Sequence, residues 1–360
     1  MFVYLFVLFA VSVNLYFTEK LASDKFMKQM FLWFPAFIIY SIPLAFQYDV
    51  GTDYFAYYNN FYDGGHLLFF TKQEYIYYYL QEFVIFLGEP QLQFIFSSII
   101  QSVLFFYILF ILKKKGYNSF LLFFIFFLIT GMYHNQMNGI RQYIAIYCFI
   151  VYCLLFLDKK YLQSLFFLVI GFYFHKSILI PLLYFIPFLF FKPVLLSKSF
   201  SYLVVIFFAG LLFHFFNWTF IVQSVLESLS LNYAHYLDSE YGEGRSIIGF
   251  LTKFYYTPLF LWFFIIFYKK KLDNYNVSLL MLWALTCFIY IQGIYFSLFI
   301  RTWAYFTFFM VFPVYYLMLH YKKNFLILFL IVLYMFIAYL LKISVFAVGE
   351  YDYNFYRGWF

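Results

Sequence analysis

The chain is built almost entirely from apolar runs long enough to cross a lipid bilayer. Of its 360 residues, 66% are hydrophobic and only 11% are charged. A soluble domain of this size cannot cover its surface with so few polar residues, whereas spans of roughly 20 residues leave room for about twelve crossings. We therefore predict an all-α polytopic membrane protein, one integral domain over residues 1–360. The runs lie near residues 1–17, 30–46, 92–112, 118–133, 139–157, 161–174, 177–191, 200–220, 250–268, 276–297, 302–320 and 324–346.

The lysines predict the two sides of the membrane. Alternate connections contain Lys20/Lys25/Lys28, Lys113/Lys114/Lys115, Lys159/Lys160, Lys192/Lys198, Lys269/Lys270/Lys271 and Lys322/Lys323. These six connections hold fifteen of the nineteen lysines and no arginine. Cytoplasmic loops are enriched in lysine and arginine, so these connections are predicted to be cytoplasmic and both termini to lie outside. The net charge of +7 is explained in the same way, without a nucleic-acid partner.

The outer connections differ from the inner ones in length and in charge. Two are long, at residues 47–91 and 221–249, and most of the acidic residues fall on this side. All four arginines, Arg141, Arg245, Arg301 and Arg357, are also predicted to lie outside. Arginines opposite the usual cationic side need another reason to be there, and two of them adjoin polar clusters.

The first cluster is Gln47–Tyr54, just after the second apolar run. Asp49 and Asp53 are four residues apart, so a helical turn would place both carboxylates on one face. Gly51 allows a tight turn or a close approach of backbone to a ligand. The alternative is a solvated loop with a turn at Val-Gly-Thr.

The second cluster is Tyr133–Gln142, a short connection dense in hydrogen-bonding groups. Arg141 enters an apolar run directly from it. An arginine buried at that depth needs an anionic or carbonyl partner. The alternative is a side chain that extends to the outer lipid headgroups.

Two further outer positions carry suitable chemistry. His175 lies in a tight connection, and an imidazole titrates close to working pH, although a hydrogen bond across the turn is the simpler interpretation. Arg301 opens the eleventh run from outside. Its planar donor fork suits a pair of phosphate oxygens better than an ammonium does.

The ordered set of motifs resembles a known family. The matching pieces are Val50-Gly-Thr-Asp-Tyr54 with Tyr58, Ile140-Arg-Gln142 with Ala145, His175 with Ser177, and Arg301 with Tyr305-Phe306 and Pro313. In this order they resemble the EpsG family of Wzy-type O-antigen or capsular polysaccharide polymerases. The resemblance covers most of the chain, with one departure: many relatives have an arginine shortly before the Val-Gly-x-Asp element, where this chain has Phe46-Gln47.

The resemblance implies a fold, a reaction and a location. The fold is a membrane glycosyltransferase architecture similar to the GT-C class. The reaction transfers a growing glycan from undecaprenyl pyrophosphate to a sugar hydroxyl of a lipid-linked repeat unit. The location is the periplasmic face of the bacterial inner membrane. A Wzz-type chain-length regulator is an implied partner. No cofactor is implied, and a divalent metal at Asp49 and Asp53 is an alternative that nothing else in the sequence supports.

Roles for individual residues follow from that reaction. Arg141 and Arg301 are expected to bind the pyrophosphate, and Asp53 to be the acceptor base. His175 is the rival base or a second phosphate donor. Asp49 is expected to orient sugar hydroxyls. The other expected substrate-binding residues are Tyr54, Tyr58, His134, Asn138, Gln142 and Tyr305.

Two other functions remain open at this stage. A lipid-linked oligosaccharide flippase or polysaccharide exporter would also hold arginines for pyrophosphate, but would carry cations along a cavity facing both sides. An O-antigen ligase uses the same donor with a lipid A core acceptor, and only the family resemblance separates it from a polymerase.

Overall fold

The computed structural model describes residues 1–21, 25–197, 224, 254–267, 270, 272–292, 297–345, 347 and 349–358. These residues are helical or lie in short connections, and no β-strand occurs among them. One isolated antiparallel bridge pairs Gln47 with Phe355. The prediction of an all-helical protein is confirmed for this part of the chain.

The chain divides into two compact units. The first comprises Met1–Ile178 and Tyr334–Phe360, and the second comprises Leu179–Leu333. The helices of the first unit are α1 (Phe2–Thr18), α2 (Phe26–Leu32), α3 (Phe34–Ala45), α4 (Tyr54–Asn60), α5 (Leu67–Thr71), α6 (Tyr75–Leu87), α7 (Leu92–Lys114), α8 (Ser119–Ile129), α9 (Met132–Asn138), α10 (Ile140–Leu157) and α11 (Tyr161–Phe174), with 3-10 turns at Lys176–Ile178 and Gly349–Tyr351.

The second unit contains α12 (Leu179–Ser197), α13 (Thr257–Phe267), α14 (Asn274–Gln292), α15 (Ser297–Phe306) and α16 (Val311–His320), with 3-10 turns at Phe254–Tyr256 and Thr307–Met310. The last helix, α17 (Phe325–Ser344), contributes its second half to the first unit.

Eleven of the twelve apolar runs coincide with helices, and the run at 200–220 lies outside the described residues. Within those residues, five helices are long and apolar enough to cross a membrane, or six if the bent pair α8–α9 is one span. Five shorter apolar helices accompany them. The chain is thus consistent with a polytopic membrane protein. The count of twelve, the single domain and the GT-C-like architecture stay predictions.

The two ends of α10 carry different chemistry. Near its C-terminal end, the Nζ of Lys115 pairs with Asp158 Oδ1 at 2.6 Å, and the Nζ of Lys113 pairs with Glu19 Oε1 at 3.2 Å. Arg141 lies in the first turn of the same helix. With a rise of 1.5 Å per residue, Arg141 and Asp158 are separated by about 26 Å, close to the thickness of a hydrocarbon core. The ion pairs of Lys113 and Lys115 and the side chain of Arg141 therefore lie at opposite ends of α10, and the assignment of these ends to the two sides of the membrane stays a prediction.

The polar connection after α8 is itself helical. Helix α9 follows α8 at an angle of 61°. Gly131 makes the break with a φ of +68°, and a Cβ at this position would lie 2.8 Å from the Tyr351 hydroxyl. The short connection predicted from the sequence is therefore a short helix that leads directly into α10.

Candidate active site

Glu74 joins two side chains that the sequence singled out, those of Arg141 and His175. One carboxylate oxygen, Oε2, accepts a hydrogen bond from Nη1 of Arg141. The other, Oε1, lies 2.5 Å from Nδ1 of His175 and accepts from the backbone N–H of Lys176 at 3.3 Å. Glu74 is only 2% exposed. A buried carboxylate with both oxygens engaged is thus the centre of the site, which we call the Glu74 cluster: Glu74, Arg141 and His175.

The charge of Glu74 is set by its partners. Burial raises the pKa of this carboxyl, but the charges of His175 and Arg141 and the hydrogen bonds from His175 and Lys176 outweigh burial. The net result lowers the pKa of Glu74 from 4.5 to about 2. Glu74 therefore stays a carboxylate at any pH at which the protein works.

Two aromatic residues, Phe69 and Tyr57, also interact with Arg141. The guanidinium carbon lies 4.6 Å from the ring centroid of Phe69, in cation–π geometry. Tyr57 is buried nearby: burial raises the pKa of its hydroxyl, and the charge of Arg141 lowers it. Arg141 is part-exposed, so the fork is fixed on one side by Glu74 and Phe69 while part of it reaches the surface. Arg141 therefore has the anionic partner that an arginine buried at this depth requires.

The start of α10 is fixed by a buried amide. The Nε2 of Gln101, on α7, donates to the carbonyl oxygen of Ile140 at 2.7 Å and to that of Gln136 at 3.4 Å. These two carbonyl oxygens lie at the junction between α9 and α10. Backbone groups that are buried in a membrane protein need such hydrogen-bond partners. The position of Arg141, the next residue after Ile140, follows from this junction.

His175 is held by close packing of α11 against α10. A Cβ at Gly171 would meet Cys148 Cβ at 2.9 Å and Ile178 Cδ1 at 2.6 Å, so only glycine permits this approach. His175 ends α11 in an extended conformation and is 6% exposed. The close packing of α11 against α10 therefore places the ring of His175 beside Glu74.

The Asp53 turn is attached to the segment that precedes Arg141. The backbone N–H of Asp53 donates to Oδ1 of Asn138 at 2.8 Å, and the hydroxyl of Thr52 donates to the same oxygen at 3.4 Å. Gly51 has a φ of +79°, and a Cβ there would lie 2.6 Å from that oxygen. The tight turn expected at Gly51 is confirmed; the group that its backbone approaches is a side chain of this protein, and an approach to a ligand stays a prediction.

On the polymerase activity that the family resemblance implies, Gly51→Ala is expected to reduce polymer formation about tenfold to a hundredfold, because a misplacement of about 1 Å in a site costs that much. The added Cβ must displace Asn138 and with it the Asp53 turn. Gly88→Ala is the matched control: Gly88 has the same φ of +79°, and nothing lies within 4 Å of the position that an added Cβ would occupy. Polymer yield per amount of membrane protein measures both. Equal losses in the two variants would show that backbone strain alone is responsible.

The helical relation expected between Asp49 and Asp53 is wrong. Asp49 has a φ of +51°, and α4 begins only after Asp53, so the intervening segment is a turn. The positive φ angles of Asp49 and Gly51 are incompatible with a regular right-handed helix, so the two carboxylates do not share a helical face. Both side chains are exposed. Within the described residues, no group of three or more His, Cys, Asp or Glu side chains could hold a metal ion.

Three of the expected substrate-binding residues have packing partners. The hydroxyl of Tyr54 donates to Gln91 Oε1 at 3.2 Å, and its ring lies against Tyr58 with centroids 5.9 Å apart. His134 is fully buried, with Nε2 3.1 Å from the hydroxyl of Tyr339. Tyr58 and Gln142 are half-buried. Of Tyr54, Tyr58, His134 and Gln142, only these two therefore have side-chain surface that a substrate could contact.

The remaining candidates lie outside this cluster. Arg301 and Tyr305 belong to the second unit, on α15, where Arg301 is exposed and Tyr305 is buried. Arg245 falls outside the described residues, as does almost all of the outer loop 221–249. Arg357 is exposed on the C-terminal segment.

Glu74 is the site residue that the sequence did not single out. It is one of many acidic residues on the outer side, and it is 67 positions from Arg141 and 101 from His175. One signal was present: an arginine entering a span needs an anion, and the outer carboxylates were the available partners. Nothing in the sequence ranks Glu74 above the others.

The fold and the cluster define a class: an all-helical membrane protein with a buried Arg–Glu–His cluster at one end of its helices. A comparison with family models identifies the group within that class. The EpsG family model matches residues 30–356. The chain therefore belongs to the EpsG family, a family of Wzy-like polysaccharide polymerases, and this membership supports a role of the polysaccharide-polymerase type. No curated protein and no solved structure matches the chain.

Proposed function

We propose that this protein is a polysaccharide polymerase that acts on lipid-linked repeat units at the periplasmic face of the bacterial inner membrane. The bond between the anomeric carbon of the growing glycan and undecaprenyl pyrophosphate breaks. A new bond forms to a hydroxyl of the incoming unit, and that hydroxyl loses its proton. The observation that carries the proposal, beside family membership, is an arginine fixed by a buried carboxylate in the segment next to the Asp53 turn.

Arg141 suits the departing pyrophosphate. Negative charge develops on that group as the bond breaks, and a cation already held in place stabilises it without reorganisation. Glu74 and Phe69 hold the guanidinium. Glu74 is thus a positioning residue, and Arg141 is the group that contacts substrate. Arg301 is proposed as a second cation for the same pyrophosphate.

His175 and Asp53 take different parts. His175 is buried and bonded through Nδ1 to a permanent carboxylate, which suits a second donor to phosphate oxygens. Asp53 is exposed and its backbone is attached to Asn138, so it remains the proposed acceptor base. Asn138 positions Asp53, and His134 is buried in the core with its Nε2 3.1 Å from the hydroxyl of Tyr339.

Deletion of the gene is expected to leave surface polysaccharide as single repeat units. Loss of polymerisation does not prevent units from being made, flipped and attached, so gel electrophoresis of extracted surface polysaccharide should show one short band in place of a ladder. Complementation with the intact gene should restore the ladder. Absence of all surface units would instead indicate a flippase or exporter, and unattached long chains a ligase; either pattern contradicts the proposal.

A further inference from the structure

The C-terminal segment forms one wall of a groove beside the Asp53 turn. The backbone N–H of Tyr48 donates to the carbonyl oxygen of Asn354 at 3.0 Å, and that of Tyr356 donates to the carbonyl oxygen of Phe46 at 2.7 Å. These two bonds flank the bridge between Gln47 and Phe355. The tail therefore pairs with the chain just where it leaves α3.

Aromatic contacts fix the same segment. The rings of Phe46 and Phe355 stack with centroids 5.6 Å apart and planes at 15°. The hydroxyl of Tyr356 donates to Glu89 Oε1 at 3.4 Å, and its ring lies 6.2 Å from that of Tyr48. Stacking and backbone pairing together hold the tail in register, and they place Arg357, the next residue, beside Tyr48 and Asp49.

Beside this pairing lies an open groove with a volume of about 620 Å³, which we call the tail groove; its walls include Tyr48, Asp49, Phe355, Tyr356 and Arg357. That volume lies within the range of small-molecule sites, about 300–1,000 Å³. Tyr48 and Phe355 are 42% and 40% exposed. The groove thus combines exposed aromatic faces with one carboxylate and one guanidinium.

The two charged groups of the tail groove are not committed to one another. Within the described residues, no hydrogen bond or ion pair engages the side chain of Asp49 or that of Arg357. A carboxylate that accepts and a guanidinium that donates can each engage the paired hydroxyls of a sugar ring. Aromatic faces suit the apolar C–H side of such a ring, because the π face carries partial negative charge.

We propose that the tail groove is a glycan-binding subsite, in which Asp49 and Arg357 bind sugar hydroxyls and the aromatic rings bind the sugar faces. The inference rests on the proposed function and deepens it, because it names where the glycan lies relative to the reacting atoms. Asp49 and Asp53 are separated by four residues, at most about 14 Å of extended chain. A glycan bound to Asp49 would therefore lie close to the Asp53 turn.

Binding of lipid-free oligosaccharide tests this assignment. The probes are fragments of one, two and three repeat units, prepared by partial hydrolysis of the polysaccharide that the host strain makes. Full-length protein in lipid nanodiscs is titrated with each by calorimetry. Arg357→Gln and Asp49→Asn are each expected to weaken binding about tenfold, the usual effect of losing a hydrogen bond to a charged group. Tighter binding of the longer fragments assigns the groove to the growing chain, and equal binding assigns it to the incoming unit.

Asp352→Asn is the matched control, because Asp352 is an exposed carboxylate of the same tail that does not line the groove. It should bind the fragments as the unaltered protein does. With lipid-linked substrate, the groove variants should raise KM about tenfold and leave kcat within about twofold, since they contact glycan and not the leaving group. Unchanged fragment affinity in both groove variants overturns the inference, even if variants of the Glu74 cluster lose polymer. Weakened affinity supports it, whatever the deletion strain shows.

Discussion

Glu74→Gln is expected to abolish long-chain polysaccharide, although Glu74 itself is not assigned any contact with substrate. The substitution preserves shape and removes only the charge. Arg141 and His175 would then face each other without the anion that separates them, in a setting where Glu74 is 2% exposed. Removing one partner of a buried ion pair costs about 3–5 kcal/mol, and the guanidinium is released from its position. Immunoblots of membranes and polysaccharide gels measure protein and product separately.

Glu82→Gln is the control for this substitution. Glu82 also pairs with a histidine, with Oε1 3.0 Å from Nε2 of His66, but its side chain is 43% exposed. Exposed ion pairs contribute about 0–1 kcal/mol, so this variant should retain both protein and polymer. Loss of polymer in both variants would show that the whole outer segment, and not the Glu74 cluster, is sensitive to charge.

A double variant separates folding from activity. Glu74→Gln combined with Arg141→Gln removes both charges, and replacing both partners of a buried pair is often nearly neutral for stability. Protein level should recover toward normal while polymer stays absent, because the proposed pyrophosphate ligand is gone. Recovery of polymer together with protein would assign the cluster a purely structural role.

Acidification gives an independent measure of the same charge. The pKa of Glu74 is lowered from 4.5 to about 2 in the folded protein. A lowered pKa contributes stability that is present in full above about pH 4.5 and is lost as the pH falls toward 2. The shift corresponds to roughly 3 kcal/mol. The difference in thermal stability between the unaltered protein and Glu74→Gln should therefore be largest near neutral pH and shrink below pH 4.5. A difference that stays constant down to pH 3 would contradict the charge assignment.

The helices were predictable because apolar runs determine them. Runs such as 161–174 coincide with a helix to the residue. The lysine pattern was also informative, since Lys113 and Lys115 form their ion pairs at the end of the first unit opposite Arg141. Both signals are local, and local hydrophobicity and charge are what a single sequence displays directly.

The site was predictable only in part, because its pairings are not local. A partner for Arg141 could be required on physical grounds, but a carboxylate 67 positions away could not be chosen among the outer acids. The Asp49–Asp53 relation failed for a different reason: it assumed regular helical spacing where two positive φ angles interrupt the helix. The glycine at position 51 indicated such a turn, and only the structure shows that the group closest to its backbone is the side chain of Asn138.

Arg141→Ala is expected to reduce the rate of polymer formation at least a hundredfold. This is the usual effect of deleting a preorganised group that stabilises charge in the transition state. Arg141→Lys tests what the fork contributes. Lysine keeps the positive charge and can still pair with Glu74, so protein level should be near normal. An ammonium is a compact point charge, however, and cannot serve Glu74 and a pair of phosphate oxygens in one fixed geometry.

Purified enzyme and lipid-linked repeat units allow the two substitutions to be compared by rate. We expect kcat to fall about a hundredfold or more in Arg141→Lys with a smaller change in KM, because the charge on the pyrophosphate grows as the bond breaks. Arg301→Ala should lose polymer in the same way if both arginines meet one pyrophosphate. Substantial turnover with lysine at position 141 would favour simple charge neutralisation over the donor fork. Near-normal polymer in Arg141→Ala or Arg301→Ala would remove that arginine from the active site, and for Arg141 it would reduce the Glu74 cluster to a device that holds α6, α10 and α11 together.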